Sequence, residues 1–220
     1  MNYLKFLVND KLVDAEGNLV GEEADLKNMT NIYGITNLTD EEKNIVFGSE
    51  INDIKNYNVK VIVIKILESL PNEFWFRPNK SEYGKTPEDE EGVGGAVLHS
   101  KKAFKIAKKL IKAWDISDYK RDIVLAATLL HDCFLDSFST ADKDEIFHLH
   151  LIQPRIKFLD YEYLIANEED KDAFDLIMKG IEGHTGGKCL VQSLRYRKEN
   201  DFLKIVHIAD FLANDQEVVK

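Results

Sequence analysis

Hydrophobic and polar positions divide the chain into a short N-terminal part and a longer helical part. Hydrophobic stretches at residues 4–8 and 11–13 flank Asn9-Asp10, and because Asn and Asp favour tight turns the pattern predicts a short β-hairpin there. Thr39-Asp40-Glu41-Glu42 is a capping-box sequence and predicts the first turn of a helix. Residues 58–70 fit a strand by their alternating valines and a helix by their length, and the pattern leaves both open.

The pattern becomes mostly helical after Pro71. It predicts a helix over about residues 96–114, with apolar residues on one side and lysines on the other. The predicted buried stripe consists of Ala103, Ile106, Ala107, Leu110 and Trp114, and the lysines are Lys101, Lys105, Lys108 and Lys112. A solvated face is the commoner arrangement for such a lysine row, and a surface that steers phosphate is the alternative.

Four more regions after residue 116 show helical periodicity, whereas residues 72–95 do not. A helix capped by Ser117 or Asp118 is predicted to carry inner residues at Ile123, Val124, Ala127, Leu130 and His131. Further helices are predicted over residues 142–153, 171–182 and 202–217. Residues 72–95 are predicted to form a loop rich in charge, Gly and Pro, and a loop of this length in a compact domain is often functional.

Composition bounds the class of protein. The 220 residues are 44% hydrophobic, which suffices for one substantial core, or one core and a small appendage. No apolar stretch approaches the ~20 residues that a membrane helix needs, and the N-terminus becomes polar too early for a secretory signal. Only two cysteines occur, Cys133 and Cys189, so no disulfide framework is predicted. We therefore expect a cytoplasmic protein without membrane association.

The formal net charge is −10. Bulk binding to double-stranded nucleic acid depends on neutralisation of phosphates by Lys and Arg, so this charge argues against it. A nucleotide or a short oligonucleotide held by a local cationic site is still compatible with the composition.

A small set of histidines and aspartates carries the candidate chemistry. His131-Asp132 ends the apolar run at residues 125–130, His99 precedes it, and Asp210 lies in a later apolar stretch. A buried ionisable pair needs a partner, and a cation is the simplest one. Imidazole and carboxylate ligands together suit Mn, Fe, Co, Ni or Zn. A single histidine on an apolar helix is more often a packed core residue, so the metal prediction rests on the combination.

The order His99, His131-Asp132, Asp210 resembles the HD superfamily, which comprises helical metal-dependent phosphohydrolases. The Gly94-Gly95 entry to His99, the late His184-Thr185-Gly186 and the Ala209-Asp210 ending are similar to a group of microbial and phage HD-domain proteins. They are also distantly similar to HD-type 3′→5′ exoribonucleases. The resemblance covers about residues 70–215.

The resemblance implies a mainly α fold: a helical HD-domain bundle with a small N-terminal appendage that contains the hairpin. Residues 1–60 would then be an accessory region, and residues 61–220 the metal-dependent hydrolase domain. One or two divalent transition-metal ions are implied. Their implied ligands are His99, His131, Asp132, Asp210, His150 and His184, with His148 as the alternative to His150. Asp132 would bridge the two ions, and His207 is interpreted as a supporting or core residue.

The implied reaction is hydrolysis of a nucleotide, a dinucleotide or a nucleic-acid end by a metal-activated water, with His131 and Asp132 as catalytic residues. Phosphate contacts are predicted from basic residues in the loops. These are Arg77, Lys85 and Arg195, with Lys80 and Arg197 as further candidates. Phe74 and Trp75 fit core packing or stacking on a nucleobase.

The chain departs from the family pattern directly after the dyad. Many members continue with Gly-Lys, whereas this chain has Cys133-Phe134-Leu135-Asp136. Cys133 fits a small buried thiol. The missing lysine supports an alternative, namely an HD fold that keeps its metal and binds a nucleotide or a partner without turnover. A third hypothesis is a helical interaction protein whose histidines are core residues.

Overall fold

The computed structural model describes residues 6–8, 11–13, 19–22, 38–70, 72–79, 86–92, 94–133, 155, 168–185 and 198–214. The fold is mainly helical, as predicted, with a small antiparallel sheet near the N-terminus. Strands β1 (Phe6–Val8) and β2 (Lys11–Val13) pair with Leu7 opposite Leu12 and form the predicted hairpin. A third strand, β3 (Leu19–Glu22), pairs with β2. It was not predicted, because Leu19-Val20 is too short an apolar stretch to indicate a strand by itself.

Within the described residues, the helices α1 (Asp40–Val46), α2 (Gly48–Asp53) and α3 (Tyr57–Ser69) come next in the chain after the sheet. The capping box of α1 is confirmed. The Thr39 backbone N–H donates to Glu42 Oε2 at 2.7 Å, and the Glu42 N–H donates to Thr39 Oγ1 at 3.3 Å. Helix α1 therefore begins where the sequence places it.

The stretch at residues 58–70, which the pattern left open, is helical as far as Ser69 and belongs to α3. Asn56 caps this helix by accepting a hydrogen bond from the Val59 N–H at 3.0 Å. Val59 and Val63 lie four residues apart and are both buried, so the alternating valines also satisfy a helical face. The side-chain cap favours the helix over a strand.

The segment predicted as a loop over residues 72–95 contains, in the parts of it that the structure describes, two short helical pieces: α4 (Asn72–Phe76) and a 3₁₀ turn (Glu88–Glu90). Helix α5 (Gly95–Ile111) then begins close to its predicted start. It ends three residues before the predicted end at 114, and the chain turns away. For this reason Trp114 is 36% exposed and does not belong to the buried stripe, contrary to the prediction. Leu110 is half-buried.

The lysine row of α5 lies partly against α2. Lys101 Nζ is 3.2 Å from Glu50 Oε2, and Lys108 forms an ion pair with Asp53. Lys105 and Lys112 are exposed. The row is therefore half a solvated face and half a charged contact between two helices.

Helix α6 (Asp118–Leu130) lies at the centre of the fold. Ser117 is its cap, as its side chain accepts from the Lys120 N–H at 3.4 Å. All nine residues from Asp122 to Leu130 are buried, so the helix is covered on every side and not only on the predicted inner one. Helices α7 (Glu168–Glu182) and α8 (Lys204–Ala213) pack against it, the latter after a 3₁₀ turn (Lys198–Leu203).

The hydrophobic core continues across the domain boundary that was expected at residue 60. That boundary falls inside α3, and the buried side chains of Phe47, Ile51 and Ile54 belong to the same core as α5–α8. Residues 40–69 thus pack as part of the helical unit. Among the described helices, none combines the length and apolar character needed to cross a bilayer. The predicted helix at 142–153 lies outside the described residues.

Candidate metal centre

Four side chains from three helices converge in the interior. His99 comes from α5, His131 and Asp132 from the C-terminal end of α6, and Asp210 from α8, and all four are buried. Each residue offers one potential ligand atom, and these four atoms all lie within 4.8 Å of one another. The structure therefore brings together the four positions that the sequence pattern singled out.

The closest approaches within the cluster are short. His99 Nε2 lies 3.1 Å from Asp210 Oδ1 and 3.3 Å from His131 Nε2. His131 Nε2 lies 3.4 Å from Asp210 Oδ1 and 3.4 Å from Asp132 Oδ2. Adjacent ligands held at roughly 2.0–2.2 Å from one ion are separated from each other by about 2.8–3.6 Å, which follows from tetrahedral or octahedral angles. The donor spacing fits one divalent ion.

His184, just beyond the end of α7, approaches the other side of the dyad carboxylate. Its Nε2 lies 3.3 Å from Asp132 Oδ1, while Asp132 Oδ2 faces His131 and His99. The His131 and His184 rings are 5.0 Å apart at their centroids. The two oxygens of one carboxylate thus face different histidines, an arrangement suited to bridging two ions.

All three imidazoles turn Nε2 toward the cluster because Nδ1 is bound on the outside. The Nδ1–H of His131 donates to the Thr128 carbonyl at 2.7 Å, and that of His184 donates to the Ile181 carbonyl at 2.6 Å. The Nδ1–H of His99 donates to Glu90 Oε2 at 3.1 Å. Such outer hydrogen bonds fix the ring orientation of metal-binding histidines.

Glu90 is a residue of the site that the sequence did not single out. It lies in the acidic run Glu88-Asp89-Glu90-Glu91, which has the composition of a solvated loop. In the structure its side chain is 0% exposed and contacts His99. The one available signal was the pair Gly94-Gly95, which allows a close backbone approach at the start of α5.

Arg77 was predicted to contact phosphate and lies beside the dyad. Its guanidinium is buried, and Nη2 donates to the backbone carbonyl of Asp132 at 2.8 Å. Arg77 also stacks on the Phe74 ring, 5.8 Å from its centroid. Phe74 and Trp75 are themselves buried against Phe47, which supports core packing rather than stacking on a nucleobase.

Electrostatics in the cluster show that a positive charge is favoured there. Burial alone would lower the pKa of His99, but hydrogen bonds with Asp210 and Glu90 raise it to about 10. Burial alone would raise the pKa values of Asp132 and Asp210, but the neighbouring histidines hold both below the usual range. With no ion present, a proton on His99 supplies the charge that a cation would supply.

The other predicted residues either lie beside the site or fall outside the described residues. His207 donates from Nδ1 to the His184 carbonyl at 2.5 Å and so supports the backbone next to the site, in line with the interpretation as a supporting residue. Cys133 is buried, and burial raises the pKa of its thiol, which disfavours a thiolate ligand. His148, His150, Lys80, Lys85, Arg195 and Arg197 lie outside the described residues.

Arg155 is a further residue near the site that was not predicted. It forms an ion pair with Glu182, the last residue of α7, and its Nη1 donates to Asp175 Oδ1 at 2.9 Å. The Glu182 contact holds the helix end that precedes His184, and the Asp175 contact lies at mid-helix. No local sequence signal distinguishes Arg155 from a surface arginine.

Comparison with known proteins gives one match. A family model described as "HD domain" matches residues 96–215, which is more than half of the chain and includes all four members of the cluster. No curated protein and no solved structure matched the chain. The distant similarity to exoribonucleases stays a prediction. On the strength of the family match and the His/Asp cluster inside it, the chain belongs to the HD domain family.

Proposed function

We propose that this protein is a metal-dependent phosphohydrolase acting on a nucleotide, a dinucleotide or a nucleic-acid end. The observation that carries the proposal is the buried cluster of His99, His131, Asp132 and Asp210 within an HD domain. When bound, a divalent ion lowers the pKa of a coordinated water and polarises a phosphoryl oxygen. This is the chemistry that hydrolysis of a phosphate ester requires at neutral pH.

The residues of the chain divide this work between them. His99, His131 and Asp210 would hold the first ion through atoms already turned inward. Asp132, which contacts both His131 and His184, would help to hold the same ion and, together with His184, a second one. Arg77 holds the backbone of Asp132 through its carbonyl and thereby fixes the position of the dyad.

Charge balance supports the second ion. Asp132 and Asp210 offset one divalent ion, and Glu90 is paired with Lys102, whose Nζ lies 2.9 Å from Glu90 Oε1 and 2.6 Å from the carboxylate of the more exposed Asp89. A site with a single ion is therefore close to neutral before substrate binds, apart from Arg77. A phosphate dianion would bind better with a second cation or with further basic groups, and the predicted candidates for these are His150 for the ion and Lys85 and Arg195 for the phosphate.

A binding module without turnover is the second candidate. The observation that favours it is the residue after the dyad: Cys133 is buried and uncharged, whereas many family members continue with Gly-Lys. In addition, the guanidinium of Arg77 is engaged by the Asp132 carbonyl. A site of this kind would hold a nucleotide through its ions without accelerating hydrolysis.

One experiment tests both candidates. The protein is loaded in turn with Mn²⁺, Fe²⁺, Co²⁺, Ni²⁺ or Zn²⁺, its metal content is measured, and it is assayed against phosphomonoesters, phosphodiesters, nucleotides and short oligonucleotides. We expect bound metal and turnover of at least one phosphate ester. Bound metal with nucleotide binding by calorimetry but no product would favour the binding module. Absence of bound metal, with melting unchanged by a chelator, would refute both.

A further inference from the structure

The contact between Glu90 and His99 differs in kind from the outer contacts of the other two histidines. His131 and His184 donate from Nδ1 to neutral backbone carbonyls. His99 donates instead to a carboxylate, and this carboxylate is itself fully buried. A charged acceptor forms a hydrogen bond roughly twice as strong as a neutral one.

Both oxygens of Glu90 are held in place. Oε2 accepts from Asn79 Nδ2 at 2.6 Å in addition to His99, and Oε1 forms an ion pair with Lys102 Nζ at 2.9 Å. Burying a carboxylate without partners is very costly, so three partners on one side chain define its position closely. The acceptor that His99 meets is therefore preorganised.

The backbone around Glu90 is equally constrained. The Asn79 N–H donates to the Glu90 carbonyl at 2.9 Å. A Cβ on Gly95 would lie 1.9 Å from that same carbonyl oxygen, so only glycine permits the turn to pack on the start of α5. Gly94, at φ 80°, lies in the left-handed region and directs the chain into the helix. The Gly-Gly pair thus brings Glu90 within reach of His99, one turn into α5.

We infer that Glu90 is a positioning residue that acts through His99: it retains the proton on Nδ1 and leaves Nε2 of His99 as the metal-binding atom. A neutral imidazole carries one N–H, and the hydrogen bond made by one nitrogen decides which atom keeps it. The carboxylate also makes His99 a stronger electron donor to the ion than a carbonyl partner would. This inference rests on the metal centre proposed above.

The test compares Glu90→Gln with wild-type protein by Co²⁺ titration, followed by visible absorption of the bound ion. The glutamine side chain has nearly the same shape as glutamate but no charge, and its NH₂ group would face Lys102 or His99. We expect Co²⁺ affinity to fall about 10- to 100-fold. We also expect the absorption spectrum of the bound ion to change, because the ligand field at His99 changes, and a purely structural role would leave that spectrum alone.

Asp122→Asn is the matched control. Asp122 is also a buried carboxylate with several partners: it accepts from the backbone N–H of Lys55 at 2.8 Å and from that of Asn56 at 2.6 Å. Its remaining hydrogen bonds within the described residues come from Arg121, so none of its partners belongs to the cluster. The variant is expected to melt at a lower temperature with the Co²⁺ spectrum and affinity of wild type.

Glu90→Asp provides a second variant in case Glu90→Gln does not fold. It keeps the charge but withdraws it from His99 by one methylene, so its Co²⁺ affinity should lie between those of wild type and Glu90→Gln. Wild-type affinity and spectrum in every folded Glu90 variant would overturn the role of Glu90 while leaving the metal centre intact. Failure of the wild-type protein itself to bind Co²⁺ would overturn the metal centre and, with it, this inference.

Discussion

His99 Nε2 lies 3.1 Å from Asp210 Oδ1, although 111 positions separate the two residues in the chain. The contact exists because α5 and α8 pack against each other along their buried faces. Asp210 is flanked in α8 by the buried residues Val206, Ala209 and Ala213, so an apolar helix face delivers a carboxylate to the interior. The site is thus a product of helix packing rather than of any one loop.

Asp132→Ala should abolish metal binding and phosphohydrolase activity while the helical fold is retained. The substitution removes the carboxylate that faces His131 on one side and His184 on the other. The apolar helix before it is unaffected. Metal content, turnover and far-ultraviolet circular dichroism would be measured together. Full activity in the variant would show that the site has been assigned to the wrong residues.

Metal affinity should rise with pH throughout the range below the pKa of His99, about 10. An ion can bind Nε2 of His99 only after its proton leaves, so affinity increases by up to about tenfold per pH unit in this window. The contribution of His99 to the stability of the metal-free protein changes with pH in the opposite direction. The raised pKa stabilises the folded state fully below pH 6.5, and this contribution is lost as pH rises through about 10.

The corresponding measurement is the rise in melting temperature that a saturating amount of Zn²⁺ causes at about pH 6.5, 7.5 and 8.5. At each of these pH values His99 must lose its proton before the ion can bind. The rise should grow across the series. A rise that is constant or shrinks with pH would contradict the raised pKa of His99.

Gly95→Ala should destabilise the protein and weaken metal binding. The new Cβ would lie 1.9 Å from the Glu90 carbonyl oxygen and 2.6 Å from the Asn79 backbone nitrogen, so the backbone must shift, at a cost of about 1–3 kcal/mol in the free energy of unfolding. Glu90 would move away from His99 as a result. Chemical denaturation and metal titration would report the two effects.

Gly48→Ala is the control for this substitution. A Cβ at Gly48 meets no atom within 4 Å in the structure, and the residue is helical. The change should leave metal affinity unaltered and either preserve stability or raise it by about 0.4–1 kcal/mol. Equal losses in both variants would argue that Gly95 has no special packing role.

Phe47→Ala should lower the free energy of unfolding by about 3–5 kcal/mol. Phe47 is fully buried and packs on Phe74 and Trp75, next to the segment that carries Arg77. Tyr57→Ala removes an aromatic ring that is 76% exposed and should change stability by no more than about 0.5 kcal/mol. A mild Phe47→Ala variant would mean that Phe47 contributes little to the helical core, and would favour residues 1–60 as a separate accessory region, as expected from the sequence.

Some of the fold could be predicted because it depends on neighbours in the chain. The capping box at Thr39 and Glu42, a cap at Ser117 or Asp118 and the start of α5 at the Gly94-Gly95 pair are set by local hydrogen bonds and backbone preference. The pattern at residues 58–70 was ambiguous because β-branched residues occur in both strands and helices. The contact that decides for the helix is a single side-chain hydrogen bond at its cap, Asn56.

The sequence by itself predicted the helical class of the fold from its periodicity, and the order His99, His131-Asp132, Asp210 indicated the four residues of the cluster through its resemblance to the HD superfamily. Only the tertiary structure decided what surrounds them. Glu90 lies in an acidic run with the composition of a solvated loop, yet its side chain is buried. Arg77 was expected to contact a phosphate, but its guanidinium donates to the Asp132 carbonyl. Whether a charged side chain is buried, and against which atom, depends on the packing of helices far apart in the chain, and periodicity within one helix carries no information about that.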